Sequence, residues 1–211
     1  MAWFSKKQYP DFWNTYQSYF KNTTSPDFDA RFIVLDTETT GLDPKNDKIL
    51  SIGAVLIQNK VIRVKDTMHV FLETEKHEFD SVAIHGIRKS GQEEKVGLSE
   101  AIPQFLDFIK ADILVAHHAS FDIRMLNNAL SELNLPKLKN RVVDTSDLYQ
   151  KLLGKPQRPI SLDALCKEFH IPTHDRHTAL GDAYLTAVVF QKLISRLKKE
   201  NPTLKLPNLY H

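Results

Sequence analysis

The sequence predicts an α/β protein in which a mixed sheet of five strands is flanked by helices, the first three strands forming a meander. Two observations carry the prediction. From Arg31 onward three extended runs, RFIVLD, KILSIGAVLI and KVIRVKDTMHVFL, follow one another with only polar turns between them. After Leu98 the pattern changes, and two short strand-like runs, DILVA and RVVDT, alternate with segments whose apolar residues recur at helical spacing.

In chain order, residues 1–30 stand apart. Eight of the twenty Phe, Tyr and Trp residues fall in the first 20 positions, and from Tyr9 their spacing is helical. PDFWNTYQSYF therefore reads as a short amphipathic helix, started by Pro10, whose aromatic stripe packs on the main domain rather than docking a partner or stacking on nucleic acid. The polar link KNTTSPDFDA leads to the first strand; the turn-rich GLDPKND joins the first strand to the second, and Gln58-Asn59 the second to the third. LSEAIPQFLDFIK reads as a helix, DILVA as a buried strand, SFDIRMLNNALSEL as a helix, RVVDT as a strand, and SLDALCKEF as a helix opened by Ser161. Leu180, Ala183, Tyr184, Ala187, Phe190, Ile194 and Leu197 then mark one apolar stripe along a helix from about Thr178 to Lys199. The expected organisation is an extension and linker over residues 1–30, one domain over 31–200 and a tail over 201–211.

Composition narrows the function classes. With 42% hydrophobic and 26% charged residues in 211, the chain has the makings of one substantial core. No apolar run approaches the roughly 20 residues that span a bilayer, so no membrane partner is expected. The start, MAWFSKKQYP, turns polar at Ser5, and Cys166 has no second cysteine to pair with, which together point to a cytoplasmic protein. A net charge of +2 and a pI near 8.5 are too mild to identify a polyanionic partner and leave room for a local basic patch.

The chemistry is concentrated in carboxylates. A strand repeats every second residue, so an extended RFIVLDTE projects Asp36 and Glu38 from one face, where their repulsion calls for protonation or a bound cation. Asp122 follows the strand DILVA at the beginning of a helix, and Asp182 lies near the start of the last helix. Either alone fits an ordinary helix first turn, favoured by the dipole. Together the four carboxylates can converge at one edge of a sheet, forming an oxygen site for hard divalent cations such as Mg2+ or Mn2+. His177, five residues before Asp182, supplies an imidazole able to take a proton from an attacking water in metal-assisted phosphodiester hydrolysis. Zinc on His170, His174 and His177 is the competing reading, disfavoured because Pro172 interrupts a shared helical face and the ligation would be all-histidine.

DTETTGL, HHASFD and HTALGD, in that order and at these intervals, resemble the three exonuclease motifs of the DEDDh family, which includes the epsilon proofreading subunit of bacterial DNA polymerase III. The similarity covers about Phe32 to Leu197 and takes in IHGI at Ile84–Ile87 and SLDALC at Ser161–Cys166. It implies a ribonuclease H-like fold, two divalent cations and removal of nucleotides from a 3′ end. Carried over by position, it makes Asp36, Glu38 and Asp182 ligands of the first metal, with Asp36 bridging to the second, Asp122 acting near the second through water, and His177 the general base. It also implies that Thr39 and Leu42 contact the terminal nucleotide and that Ile84, His85 and Phe121 shape its pocket; for Leu42, Ile84 and Phe121 core packing is an equal alternative. The chain departs from the family at His118, where Asn is usual, which bears on substrate positioning there. His117 matches the family and reads as tying down the strand end.

The expected partner is DNA with single-stranded or frayed 3′ ends, with a DNA polymerase subunit as a further partner. The alternatives are the same site trimming RNA, or a non-catalytic nucleic-acid or polymerase-binding module. All five DEDDh positions are occupied, which disfavours the last. Other signals carry less. GIRKSG has phosphate-loop spacing but Gln92 where a lysine is needed. Asp144 reads as a helix cap rather than a fifth ligand, and Cys166 as a buried packing thiol. Lys151, Lys155, Arg158 and Arg176 form either a loop surface for phosphates or a solvated basic face.

Overall fold

The structure, a computed structural model, describes residues 8–21, 26–74, 93–154 and 159–210. Its sheet contains β1 (Phe32–Thr39), β2 (Ile49–Gln58), β3 (Val61–Leu72), β4 (Lys95–Val96), β5 (Ile113–Ala116) and β6 (Val142–Asp144) in the order β4-β3-β2-β1-β5-β6. The meander is present, antiparallel from β1 through β3, while β5 and β6 add in parallel beside β1. Among the described residues the sheet has six strands rather than five. The additional one, β4, pairs only through Phe71 with Lys95 and Leu72 with Val96, and two residues are too few to show an alternating pattern. The β2–β3 turn also sits one residue later than expected: Asn59 (φ 52°) and Lys60 (φ 62°) are both left-handed, as the two central positions of a type I′ hairpin turn must be.

Period-two alternation along β1 sorts its side chains between two layers. Ile33 and Leu35 enter a core built with α1 (Asp11–Ser18), α2 (Leu98–Ile109) and α3 (Ser120–Glu132). Phe32 and Val34 enter a second core built with α4 (Thr145–Leu152), α5 (Leu162–Glu168), α6 (Ala179–Glu200) and the 3-10 turn Leu206–Leu209. Asp36 and Glu38 continue the second set, and so face the α6 side. The aromatic segment is α1, and it is part of the first core: Trp13 and Tyr16 are fully buried. The Tyr16 hydroxyl donates to Asn140 Oδ1 (2.6 Å) and accepts from Lys139 N (2.9 Å), and burial pushes its pKa up to about 12. Among the described residues no helix is long and apolar enough to cross a membrane.

Two features of the sheet govern how other elements approach the end of β1. Gly53 on β2 stands opposite Asp36, and a Cβ there would lie 2.2 Å from backbone atoms of Ala179 and Leu180, so only glycine lets the first turn of α6 touch the sheet at this point. On the other side of β1 the parallel pairing with β5 ends at Val34 and Val115, which leaves the last residues of β1 without a neighbouring strand on that side.

Gly53→Ala is expected to cost about 1–3 kcal/mol, since the atoms in the way are backbone and cannot swing aside; thermal unfolding would read it. Trp13→Ala is expected to cost about 3–5 kcal/mol by leaving a cavity in the first core, and retention of native Tm would show that α1 is dispensable to it.

Candidate active site

At the end of β1 the structure brings three carboxylates together. Asp36 and Glu38 from the strand and Asp182 from the first turn of α6 each offer an oxygen, and these oxygens lie within 4.8 Å of one another. Asp36 is half-buried, while Glu38 and Asp182 are only 5% and 6% exposed. The helix is delivered to this position by its cap: Thr178 Oγ1 accepts from Gly181 N (3.1 Å) and donates to Asp175 O (2.8 Å).

Asp122, 4% exposed at the start of α3, is held differently. Its Oδ1 accepts from both the backbone N–H (2.9 Å) and the hydroxyl (2.7 Å) of Thr37, the residue between Asp36 and Glu38. The open side of β1 is thus closed by a carboxylate where β5 has run out. Asp144 caps α4 through Ser146 N (2.8 Å), as expected, and also accepts from His118 N (3.2 Å) and Ala119 N (2.8 Å), fixing the turn from which α3 starts.

The two histidines of that turn have distinct surroundings. His117 Nε2 faces Ile160 O at 2.8 Å, and a carbonyl can only accept, so the proton is on Nε2 and Nδ1 accepts from the Thr145 hydroxyl at 2.8 Å. Burial, with the neighbouring His118 second, pushes the His117 pKa down to about 4, so the ring is neutral and ties the end of β5 to α4 and to the approach to α5. His118 takes a left-handed backbone (φ 58°). Asn, Asp and His are the side-chain-bearing residues that best tolerate this region, which gives the departure from Asn a backbone reason: both residue types satisfy the turn.

Burial, followed by the charges of Asp122, Asp182 and Glu38, holds the Asp36 carboxyl well above the usual carboxylate range. Burial first and Asp182 next raise Glu38 to about 7; Asp122 is raised to about 7 by burial despite its hydrogen bonds from Thr37. Such groups are only partly ionised at neutral pH, and nearby positive charge favours their charged form. Part is supplied by Arg176, whose Nε and Nη2 bond Asp163 Oδ1 (2.7 Å) and Oδ2 (3.0 Å) and whose Nη1 reaches Asp182 Oδ2. Asp182 Oδ1 is buried and has no hydrogen-bond partner among the described residues. An orphaned carboxylate oxygen on a member of an all-oxygen donor set fits a divalent cation.

The remaining expected residues are placed less closely. His177 lies exposed in the loop entering α6 with φ 63°. Thr39 is buried, its hydroxyl donating to Gly41 O at 2.7 Å. Leu42 is 82% exposed, which removes core packing as its role, whereas Phe121 is half-buried against the first core. Ile84 and His85 lie outside the described residues, as do Lys155 and Arg158. Of the basic set, Lys151 donates to Asn208 O (2.6 Å) and Arg176 is turned into the acidic cluster, so neither reads as a free loop cation. Reading the sequence missed the partnership of Arg176 with Asp163 and Asp182, and that of Asp122 with Thr37. An arginine directly before the motif histidine was the one available signal for the first.

Comparison with known proteins agrees with this geometry. The chain is 36% identical over 186 residues to the PolC-type DNA polymerase III of Thermotoga petrophila, covering 88% of this chain but 13% of that protein. It is 37% identical over 171 residues to the DNA polymerase III epsilon subunit of Rickettsia felis, covering 77% of this chain and 73% of the relative. Among solved structures, the nuclease domain of 3′hExo, a DEDDh family member bound to rAMP, aligns with a TM-score of 0.67 at 15% identity over 80% of this chain and 93% of that one. That likeness shows the fold, which is ribonuclease H-like. The exonuclease family model (RNase_T) matches residues 33–190, a span containing every carboxylate of the cluster, and the chain belongs to this exonuclease family.

Proposed function

We propose that the protein is a metal-dependent 3′ to 5′ exonuclease that releases nucleotides from single-stranded or frayed 3′ ends of DNA, in proofreading or repair. The observation that carries this reading is the convergence of Asp36, Glu38 and Asp182 on one point in a chain of the exonuclease family. DNA is favoured over RNA because the relatives are DNA polymerase III proteins, and the same names support a polymerase subunit as partner.

In this reading Asp36, Glu38 and Asp182 would hold a divalent cation, Mg2+ or Mn2+, and Asp36 and Asp122 would serve a second. Such ions, when bound, lower the pKa of the attacking water and stabilise the leaving oxygen. The chain's own residues do the rest. Thr37 fixes Asp122, keeping one carboxylate oxygen committed to the fold and leaving the other out of that contact. His177, in its exposed loop, accepts the proton of the attacking water at an imidazole nitrogen. Thr39, Leu42, Ile84, His85, His118 and Phe121 position the terminal nucleotide; the exposure of Leu42 supports a contact role for it.

End-labelled single-stranded DNA and RNA, incubated with the protein in Mg2+, Mn2+ or EDTA, test the proposal: DNA should shorten from its 3′ end and EDTA should stop it. Preference for RNA would move the reading to RNA trimming, and no cleavage of either strand would overturn it. Asp36→Ala is expected to lower kcat about 10³-fold. His177→Ala is expected to lose roughly 10²- to 10⁴-fold in kcat while still binding Mn2+ in calorimetry.

The raised carboxyls also predict how metal and pH combine. A carboxyl whose folded pKa is raised contributes stability that is complete below its unfolded pKa and is lost as pH rises through the folded value, here from about 4.5 to about 7 for Glu38. His117, lowered to about 4, trends oppositely below about 6.5. Taking the difference between Mg2+ and EDTA at each pH cancels the histidine. The Mg2+-induced rise in Tm should therefore grow from pH 5.5 to pH 8, and a constant or shrinking rise would contradict the clustering of the acids.

A further inference from the structure

The loop that enters α6 passes through the left-handed region at Asp175 (φ 56°) and again at His177 (φ 63°), with Arg176 between them. Its seat on the helix is tight: a Cβ on Gly181 would lie 2.1 Å from the Asp175 carbonyl oxygen and 2.6 Å from Thr178 Oγ1. This shape turns Arg176 inward, where its side chain is 18% exposed. One edge of the guanidinium fork grips both oxygens of Asp163, at 2.7 Å and 3.0 Å, and the remaining Nη1 reaches Asp182 Oδ2. The other oxygen of Asp182 is buried and, among the described residues, without a hydrogen-bond partner.

Two properties of this arrangement bear on its use. Arg176 lowers the proton affinity of Asp36 and Glu38, but Asp163 offsets part of its single charge, and that charge does not set the direction of Asp182. The planar fork instead fixes direction, because a guanidinium bonded on both edges leaves the carboxylate it touches little freedom to rotate. With Oδ2 committed, Oδ1 is the oxygen of Asp182 left for another partner.

We propose that Arg176 is a positioning residue for the metal centre, holding Asp182 by Oδ2 so that Oδ1 is presented to the cation, with Asp163 as the anchor that keeps Arg176 in place. The proposal rests on the metal-dependent reading of the cluster and deepens it. Outer partners of metal-binding carboxylates typically contribute 10- to 100-fold to affinity, roughly the effect expected of Arg176.

Mn2+ binding, measured by calorimetry on the folded native protein and on Arg176→Gln and Asp163→Asn, tests it, with circular dichroism confirming the fold of each. Arg176→Gln should weaken the Mn2+ Kd about 10- to 100-fold, and Asp163→Asn, which frees the arginine from its anchor, should weaken it in the same direction. An unchanged or tighter Kd in Arg176→Gln would overturn the proposal, since tighter binding would make the arginine a competitor for the site. Should Arg176→Gln fail to fold, the same criterion applies to Asp163→Asn. Absence of Mn2+ binding in the native protein would instead overturn the metal-dependent reading itself.

Discussion

A carboxylate on a helix can stand beside carboxylates on a strand only where the two backbones nearly touch, and Gly53 provides that place. The missing side chain opposite Asp36 admits the first turn of α6 against β2, and Asp182 comes with it. Any residue with a Cβ would push the helix out and with it the third acid. The cost is concentrated negative charge in a half-dry environment, visible in the raised proton affinities of Asp36, Glu38 and Asp122. The fold tolerates this because backbone contact and capping, not attraction among the acids, hold the elements together.

Around the cluster, polar side chains take over where regular pairing stops. Asp122 satisfies Thr37 beyond the last β1–β5 pair, Asp144 satisfies His118 and Ala119 as well as capping α4, and His117 spans from Thr145 to Ile160. The two aspartates satisfy backbone N–H groups at these ends, and His117 adds a link to the approach to α5. The end of β1 is therefore held by β2 on one side and by Asp122 on the other.

Much of this was legible in the sequence because burial writes itself as periodicity. The alternation in RFIVLDTE placed Asp36 and Glu38 on one face, and the three- and four-residue steps from Leu180 to Leu197 gave the last helix within a residue or so of Ala179–Glu200. Ser161 was readable as a cap because a hydroxyl before an apolar helical run has a local job, and its Oγ accepts from Ala164 N at 3.2 Å. What was not legible depends on distance in space or on single dihedrals. Two-residue β4 carries no period, the hairpin turn is decided by φ at Asn59 and Lys60, and the pairing of Arg176 with Asp163 joins residues from separate elements. His118 shows both limits: its mismatch with the family was plain, while the positive φ that explains it was not.

The distribution of the site along the chain has a consequence for how the protein is made. Asp36 and Asp182 lie at opposite ends of the domain, and the Tyr16 hydroxyl of α1 has its partner at Asn140, 124 residues further on. Local pairing of β1 to β3 can form early during synthesis, but neither the docking of α1 nor the completion of the acidic cluster can precede the later half of the polypeptide. Until α6 has emerged, the nascent chain carries Asp36 and Glu38 without the third acid, and so the acidic cluster assembles only after nearly all of the supporting scaffold exists.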